Sequence, residues 1–263
     1  YNSSEIFLST RSNQNLLKIR FSNSFFNFAS TRQPFKGLRA HELHFTNLSN
    51  EYLANSIFDE SSINEFYIEN SLNFIGFLDL SNSLPNGKLL HRFIVIRSFK
   101  IEQLCSHSLP SFVNQETFHE ITIKKCPNIR SIKPFTFFKY PHLKSLYLSS
   151  NNLSLIQKDS LRYLSQLELL DLSSNPLNFI EEEAFRDLSS LKRLYIEQTQ
   201  LKIINERQFI GLVGLIDLKL SKNYNLEYIN PQAFQDSRNT LRELHLKDTR
   251  IRLIDSFEED NLE

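Results

Sequence analysis

The chain has 263 residues, with 30 Lys plus Arg against 30 Asp plus Glu, so its formal net charge is zero. That balance lacks the basic surface on which nucleic-acid binding depends, and nucleic acid is not an expected partner. No apolar run approaches the roughly 18 residues of a membrane span, and two cysteines, Cys105 and Cys126, are too few for a disulfide framework and do not form a zinc site.

Residues 1 to 15 are polar and read as a partial repeat or a disordered start. From Leu16 onward one pattern recurs: an apolar residue, a gap of two, an apolar residue, a gap of one, an apolar residue, a gap of two, then a small or polar residue. Leu16, Ile19, Phe21 and Ser24 make the first copy, and Ala40, Leu43, Phe45 and Leu48 a degenerate second. Ile63, Phe66, Ile68 and Ser71 follow, then Leu90, Phe93, Val95 and Ser98, then Phe118, Ile121, Ile123 and Cys126. From there the pattern is strict: Leu143, Leu146, Leu148, Asn151; Leu167, Leu170, Leu172, Asn175; Leu191, Leu194, Ile196, Thr199; Leu215, Leu218, Leu220, Asn223; and Leu241, Leu244, Leu246, Thr249. Subtracting successive starts gives 24, 23, 27, 28, 25, 24, 24, 24 and 26 residues, so the reading is one domain over 16–263 of about ten repeats. The last repeat stops before its second half is complete, and both ends read as cut from a longer protein.

The central alternation, as in Leu146, Tyr147, Leu148, is that of a strand with side chains on opposite faces. A helix would scatter the same leucines around its circumference. One short strand cannot bury its apolar face alone, but a stack of them can. The polar residue after each strand falls where the chain turns inward, and its side chain is placed to satisfy backbone groups of adjacent coils. Each second half carries an aliphatic pair, such as Leu153 and Ile156 or Leu177 and Ile180. A larger row follows: Leu161, Phe185, Phe209 and Phe234, extended backward by Phe35, Phe58, Phe112 and Phe137 or Phe138. Phenylalanine at repeat spacing reads as core. Cys126 stands in the polar row and reads as a buried structural thiol. Both thiols are expected to be free.

A fixed period with this internal spacing resembles the leucine-rich repeat. The Asn in the polar row and the Phe in the outer half resemble the extracellular animal class, which includes Toll-like and chaoptin-like ectodomains. The Cys126-Pro127-Asn128 turn also resembles leucine-rich non-catalytic subunits of arthropods. The resemblance implies an α/β solenoid shaped as a horseshoe, with a parallel sheet on its concave face and short turns, 3-10 or helical segments on its convex face. It implies a binding scaffold without activity of its own, extracellular or at the cell surface, receptor-like, and glycosylated. The cysteine caps of secreted members are missing.

The chain carries no specific catalytic constellation, and no enzyme activity, cofactor or metal is expected. His41 and His44 fall on opposite faces of a strand. Glu181, Glu182 and Glu183 lie in an outer turn and read as solvated. The acidic end, including Asp255, Glu258, Glu259 and Asp260, reads the same way. No glycine forms a phosphate-binding loop, and no serine sits in a nucleophile elbow. Asn2, Asn47 and Asn152 head sequons, which matter only in a secreted chain.

The informative residues point away from the core. The central outward column reads Arg20, His44, Tyr67, Ile94, Thr122, Tyr147, Asp171, Tyr195, Lys219 and His245. Flanking columns include Glu42, Glu65, Arg92, Glu120, Arg193, Asp217 and Glu243 on one side, and Glu69, Ile96, Lys124, Glu197 and Lys247 on the other. Tyr and Arg are enriched at interface hot spots. The candidate partner-binding residues are Tyr67, Tyr147, Asp171, Arg193, Tyr195, Glu197, Lys219 and His245. The expected function is protein binding on the concave face. The alternatives are a structural or accessory subunit of a larger enzyme or matrix complex, and an intracellular adaptor.

Overall fold

The computed structural model describes residues 5–10, 17–24, 35–58, 60–78, 90–111 and 116–251. Every apolar triplet read from the sequence sits on or beside a strand of one eleven-stranded sheet, Leu16 excepted, which lies outside the described residues. The strands run in chain order from Leu17–Ser22 through Arg39–Thr46, Ser62–Glu69, Arg92–Ile96 and Glu120–Lys124, then through Ser145–Tyr147, Leu169–Asp171, Arg193–Tyr195, Asp217–Lys219 and Glu243–His245. Each pairs in parallel with the next, and the register does not slip: Leu146 faces Leu170, which faces Leu194, Leu218 and Leu244 in turn. The remaining strand, Glu5–Thr10, is of another kind. It pairs antiparallel with Leu17–Ser22 and covers the edge of the first parallel strand.

The return half of each coil is thin. Among the described residues there is no α-helix. The helical content is three 3-10 segments, Asn55–Phe58, Ser106–Ser108 and Pro231–Phe234. Short parallel pairs fill the rest: Tyr52–Ala54 with Gly76–Leu78, Gln103–Leu104 with Ser131–Ile132, Leu155–Ile156 with Phe179–Ile180, and Ile203–Ile204 with Tyr228–Ile229. Among the described residues the solenoid is therefore two-walled, with short strands, turns and 3-10 segments on its outer wall. At Gly76 a side chain has no room, since a Cβ would fall 2.2 Å from the carbonyl oxygen of His107.

Between the walls lies one continuous core. The leucine rows and the aliphatic pairs of the inner coils are buried in it, as are Phe35, Phe58, Leu161, Phe185, Phe209 and Phe234, while Phe21 in the first coil and Leu241, Leu244, Leu246 and Ile251 in the last are partly buried. Period alone left Phe137 and Phe138 undecided; Phe137 is buried and Phe138 is exposed. Phe112 lies outside the described residues, as does Ile254, the partner of Ile251 in the last aliphatic pair. Aromatic rings replace leucine in the early coils, where Phe45 meets Phe66 at 5.5 Å and Phe66 meets Phe93 at 5.8 Å between ring centroids.

The polar row forms a buried hydrogen-bonded spine. The Asn175 amide donates to Leu172 O in its own coil and Leu148 O in the preceding one, both at 2.9 Å, and its Oδ1 accepts Leu153 N–H at 3.0 Å. Asn151 donates to Leu148 O and Ile123 O and accepts Cys126 N–H. Asn223 does the same toward Leu220 O, Ile196 O and Thr199 N–H. Ser98 and Ser71 make smaller versions of these contacts. Cys126 holds its place in the row with sulfur: Ser98 N–H points to Sγ at 3.4 Å, and burial pushes the thiol up to about 11. Both cysteines are free thiols.

One position before each spine residue the backbone turns left-handed. Asn23, Asn47, Asn70, Arg97, Lys125, Ser150, Ser174, Gln198, Lys222 and Asp248 have φ between 50° and 62°. None is glycine and none is β-branched. That conformation costs an L-residue about 1–2 kcal/mol. It turns the N–H toward the following coil, as in Ser150 to Ser173 O at 3.0 Å, Ser174 to Glu197 O at 2.8 Å and Lys222 to Lys247 O at 2.7 Å.

Because Asn175 satisfies three buried backbone groups, Asn175→Ala is expected to lower stability by about 1–3 kcal/mol. Urea or thermal unfolding of the two proteins checks this. Equal stability would remove the spine from the account of the fold.

Candidate functional site

The parallel register converts the outward positions of the strands into columns. Arg20, His44, Tyr67, Ile94 and Thr122 face one another in succession, and the column continues through Tyr147, Asp171, Tyr195, Lys219 and His245. The candidate residues Tyr147, Asp171, Tyr195, Lys219 and His245 thus occupy five consecutive coils. Arg193 lies beside Tyr195 on the same face of its strand. Glu197 lies just beyond that strand, and its N–H donates to Ser173 Oγ at 3.1 Å. Tyr67 stands apart in an earlier coil.

The two regions of the column differ in chemistry. In the later coils, lysines cover tyrosine rings. Lys219 Nζ lies 4.5 Å from the Tyr195 ring centroid, and Lys124 Nζ lies 4.7 Å from that of Tyr147. Lys124 is also 3.8 Å from Asp171 Oδ2, and Lys219 is 4.0 Å from Asp217 Oδ2. Burial raises the Tyr195 phenol above its ordinary pKa. These contacts hold flexible cations over rigid rings and leave a face that alternates aromatic and charged groups.

In the early coils the face is more tightly packed. The His44 ring stacks on Tyr67 at 4.0 Å and 6°. Its Nε2 lies 3.0 Å from Glu42 Oε2, and Lys18 pairs with the same carboxyl group. Tyr67 donates to Glu65 Oε2 at 2.5 Å, and Arg92 bridges Glu65 at 3.3 Å and Glu120 at 2.9 Å. Burial and the Glu65 carboxylate raise the Tyr67 phenol. Burial holds His44 below the ordinary histidine pKa, outweighing its bond to Glu42, and Arg20 adds to that effect. Burial pushes the Glu42 carboxyl up, but bonds from Lys18 and His44 outweigh it and leave the group lowered.

Positions of other singled-out residues follow from the same parity. His41 Nδ1 lies 3.1 Å from the Asn64 amide, away from the His44 network. Glu183 pairs across coils with Lys158 and Arg207, and Glu182 with Arg207, all on the outer turns. Asn47 is exposed at a left-handed turn, its amide donating to Asn23 Oδ1 at 3.0 Å. Asn152 is half-buried. Asn2 lies outside the described residues. Lys124 and Asp217 were readable as members of flanking columns, but their contacts with the central column depend on side-chain reach, which spacing does not encode.

Among the described residues no helix is long and apolar enough to cross a membrane. A sequence profile for the leucine rich repeat matches residues 119–177 and 170–224. Among curated proteins no sequence matches this chain. Among solved structures, the fold is similar to the Toll–Spatzle complex of Drosophila in its glycosylated form, at 22% identity and TM-score 0.66, over 82% of this chain and 28% of that one. It is also similar to the TLR13–ssRNA13 complex, at 18% identity and TM-score 0.65, over 80% of this chain and 28% of that one. The present chain therefore spans little more than a quarter of either. Residues 119–224 thus carry the leucine rich repeat pattern, and the fold is a solenoid similar to those two structures.

His44 gives a direct test of the early network. Its folded pKa is lowered from 6.5, so the unfolded chain binds the proton more readily. Its contribution to stability is present above pH 6.5 and is lost as pH falls below that value toward the folded pKa. Histidine NMR titration should show the His44 ring protonating below 6.5, and His44→Phe should flatten the acid loss of stability. A His44 titration at or above 6.5 contradicts the packing described.

Proposed function

We propose that this leucine-rich repeat chain is a non-catalytic scaffold that binds a protein partner on its concave face, outside the cell or at its surface. The observation that carries the reading is the contrast between faces of one strand. Inward positions repeat large apolar residues, while outward positions in the same register change from coil to coil. A stack that needed only solubility would be served by any polar residue there. Tyr147, Asp171 and Tyr195 bring large rigid area and defined charge onto adjacent coils, which limits the ordering entropy lost on binding.

Protein is favoured over nucleic acid by the charge on this face. Arg20, Lys124, Arg193, Lys219 and Lys247 are interspersed with Glu65, Glu120, Asp171, Glu197, Asp217 and Glu243, so no basic stripe runs along the arc. One solved neighbour is a complex with single-stranded RNA, so fold alone does not separate the two partner classes. The sequons at exposed Asn47 and at Asn152 support an extracellular setting and a glycosylated chain. The free thiols are compatible with that setting because Cys126 is shielded by burial.

The test begins with capture of partners on the immobilised chain, followed by titration of variants. Tyr195→Ala is expected to weaken protein binding by at least about 1 kcal/mol. Glu182→Ala, on the outer turn and 63% exposed, is expected to leave affinity unchanged. Loss in the outer-turn variant alone would assign binding to the other wall. Preferential binding of a single-stranded RNA oligomer, with steep loss at high salt, would replace the protein reading with the nucleic-acid one.

A further inference from the structure

On the concave face His245, one of the candidate binding residues, meets two carboxylates in a three-residue cluster. Asp217 and Glu243 are direct register partners on adjacent parallel strands, and His245 follows Glu243 by two positions on the same face. His245 Nε2 lies 3.4 Å from Asp217 Oδ1 and 3.3 Å from Glu243 Oε2, and one ligand atom from each of the three residues can be chosen within 4.8 Å of the others.

Two features make this more than a patch of acid. Like charges directly opposite on neighbouring strands are destabilising, and here two carboxylates are so placed. Lys219 is 4.0 Å from Asp217 Oδ2 and compensates part of that charge, but Asp217 Oδ1 is a buried atom without a hydrogen bond, facing the imidazole. A buried acceptor of this kind destabilises the fold when it stays unmet. A tetrahedral zinc ion with bonds of about 2.0–2.2 Å holds its ligand atoms about 3.3 Å apart. The two imidazole–carboxylate separations match that spacing and are long for charge-assisted hydrogen bonds. One imidazole and two carboxylates suit a divalent transition cation better than calcium or magnesium, which take oxygen ligands.

We propose that Asp217, Glu243 and His245 form a zinc-type divalent metal site that clips the strand Glu243–His245 to its neighbour. Three protein ligands leave a fourth position open toward the concave space, where water or a donor group of a partner completes the shell. The His245 side chain keeps 44% of its exposure, so the ion has a path in. The Leu244 row at this coil is only partly buried, so the clip supports the strand where the apolar core is thinnest. Lys219 opposes the ion's charge from its place over the Tyr195 ring.

Calorimetric titration of the whole chain with zinc chloride tests this, beside calcium and magnesium chloride and beside thermal melts with and without metal. Saturable uptake of one zinc per chain is expected, with a rise in Tm. Asp217→Asn and His245→Ala should each weaken zinc binding by at least about tenfold. Asp217→Asn keeps the side-chain volume and removes the repulsion, so its metal-free Tm should be no lower than that of the parent while the zinc-induced rise disappears. Lys219→Gln should tighten binding. His119→Ala disrupts a separate imidazole pair several coils away, His91 and His119, at 5.5 Å between ring centroids, and should leave affinity unchanged. No saturable zinc uptake by the parent, uptake unchanged in both cluster variants, loss in His119→Ala alone, or a response to calcium or magnesium without one to zinc would each overturn the assignment.

Discussion

A solenoid coil must turn its backbone inward at the end of every strand, and the buried peptide groups at that turn need partners. The spine of Asn, Ser, Thr and Cys side chains meets this constraint. Asn223 shows the arrangement most fully: its amide donates to a carbonyl of its own coil and one of the coil before, while its oxygen accepts both the N–H and the hydroxyl of Thr199. The bonds to Ile196 and Thr199 cross between coils, so the spine fixes register as well as satisfying polar groups. The left-handed residue before it is part of the same device. The conformational cost of roughly 1–2 kcal/mol is offset by an intercoil bond from its N–H and by an entry angle that carries the spine side chain inside.

Stacking in register then determines what the outward positions are free to do. Since the core and the spine specify the fold, Tyr147, Asp171, Tyr195 and Lys219 are not needed for packing between the walls. They lie in line because the strands do. The lysine–tyrosine pairs at Lys124 with Tyr147 and Lys219 with Tyr195 join a flanking column to the central one, and give the later coils a rigid surface of mixed charge. In the earlier coils the same columns close into the Lys18–Glu42–His44 cluster and the His44–Tyr67 stack, which buries part of the face. One register thus yields an open half and a packed half.

Much of this was readable from residue spacing. Parity assigns Leu146 and Leu148 to the core and Tyr147 to the concave face, and repetition places the columns. The left-handed turns were not readable, because positions such as Arg97, Lys125 and Gln198 carry none of the glycine that usually marks positive φ. The short turns and 3-10 segments expected on the outer wall are there, and two-residue strand pairs stand beside them, since stretches such as Leu155–Ile156 and Ile203–Ile204 have β-branched residues and too little length for a helix. The antiparallel Glu5–Thr10 strand has no repeat to announce it. Asp217 was placed in a column, yet its unmet oxygen and its neighbours in the metal-ligand cluster appear only with side-chain distances.

The central claim is that the spine, coil by coil, holds the stack in register. Native-state hydrogen exchange at single amides measures it most directly. Leu153 N–H is bonded to Asn175 Oδ1, and Cys126 N–H to Asn151 Oδ1. The account predicts that both exchange as slowly as the strand amides in the parent, and that Asn175→Ala accelerates Leu153 while leaving Cys126 protected. Exchange of Leu153 at loop rates in the parent, or equal protection of Leu153 with and without the Asn175 side chain, would contradict it.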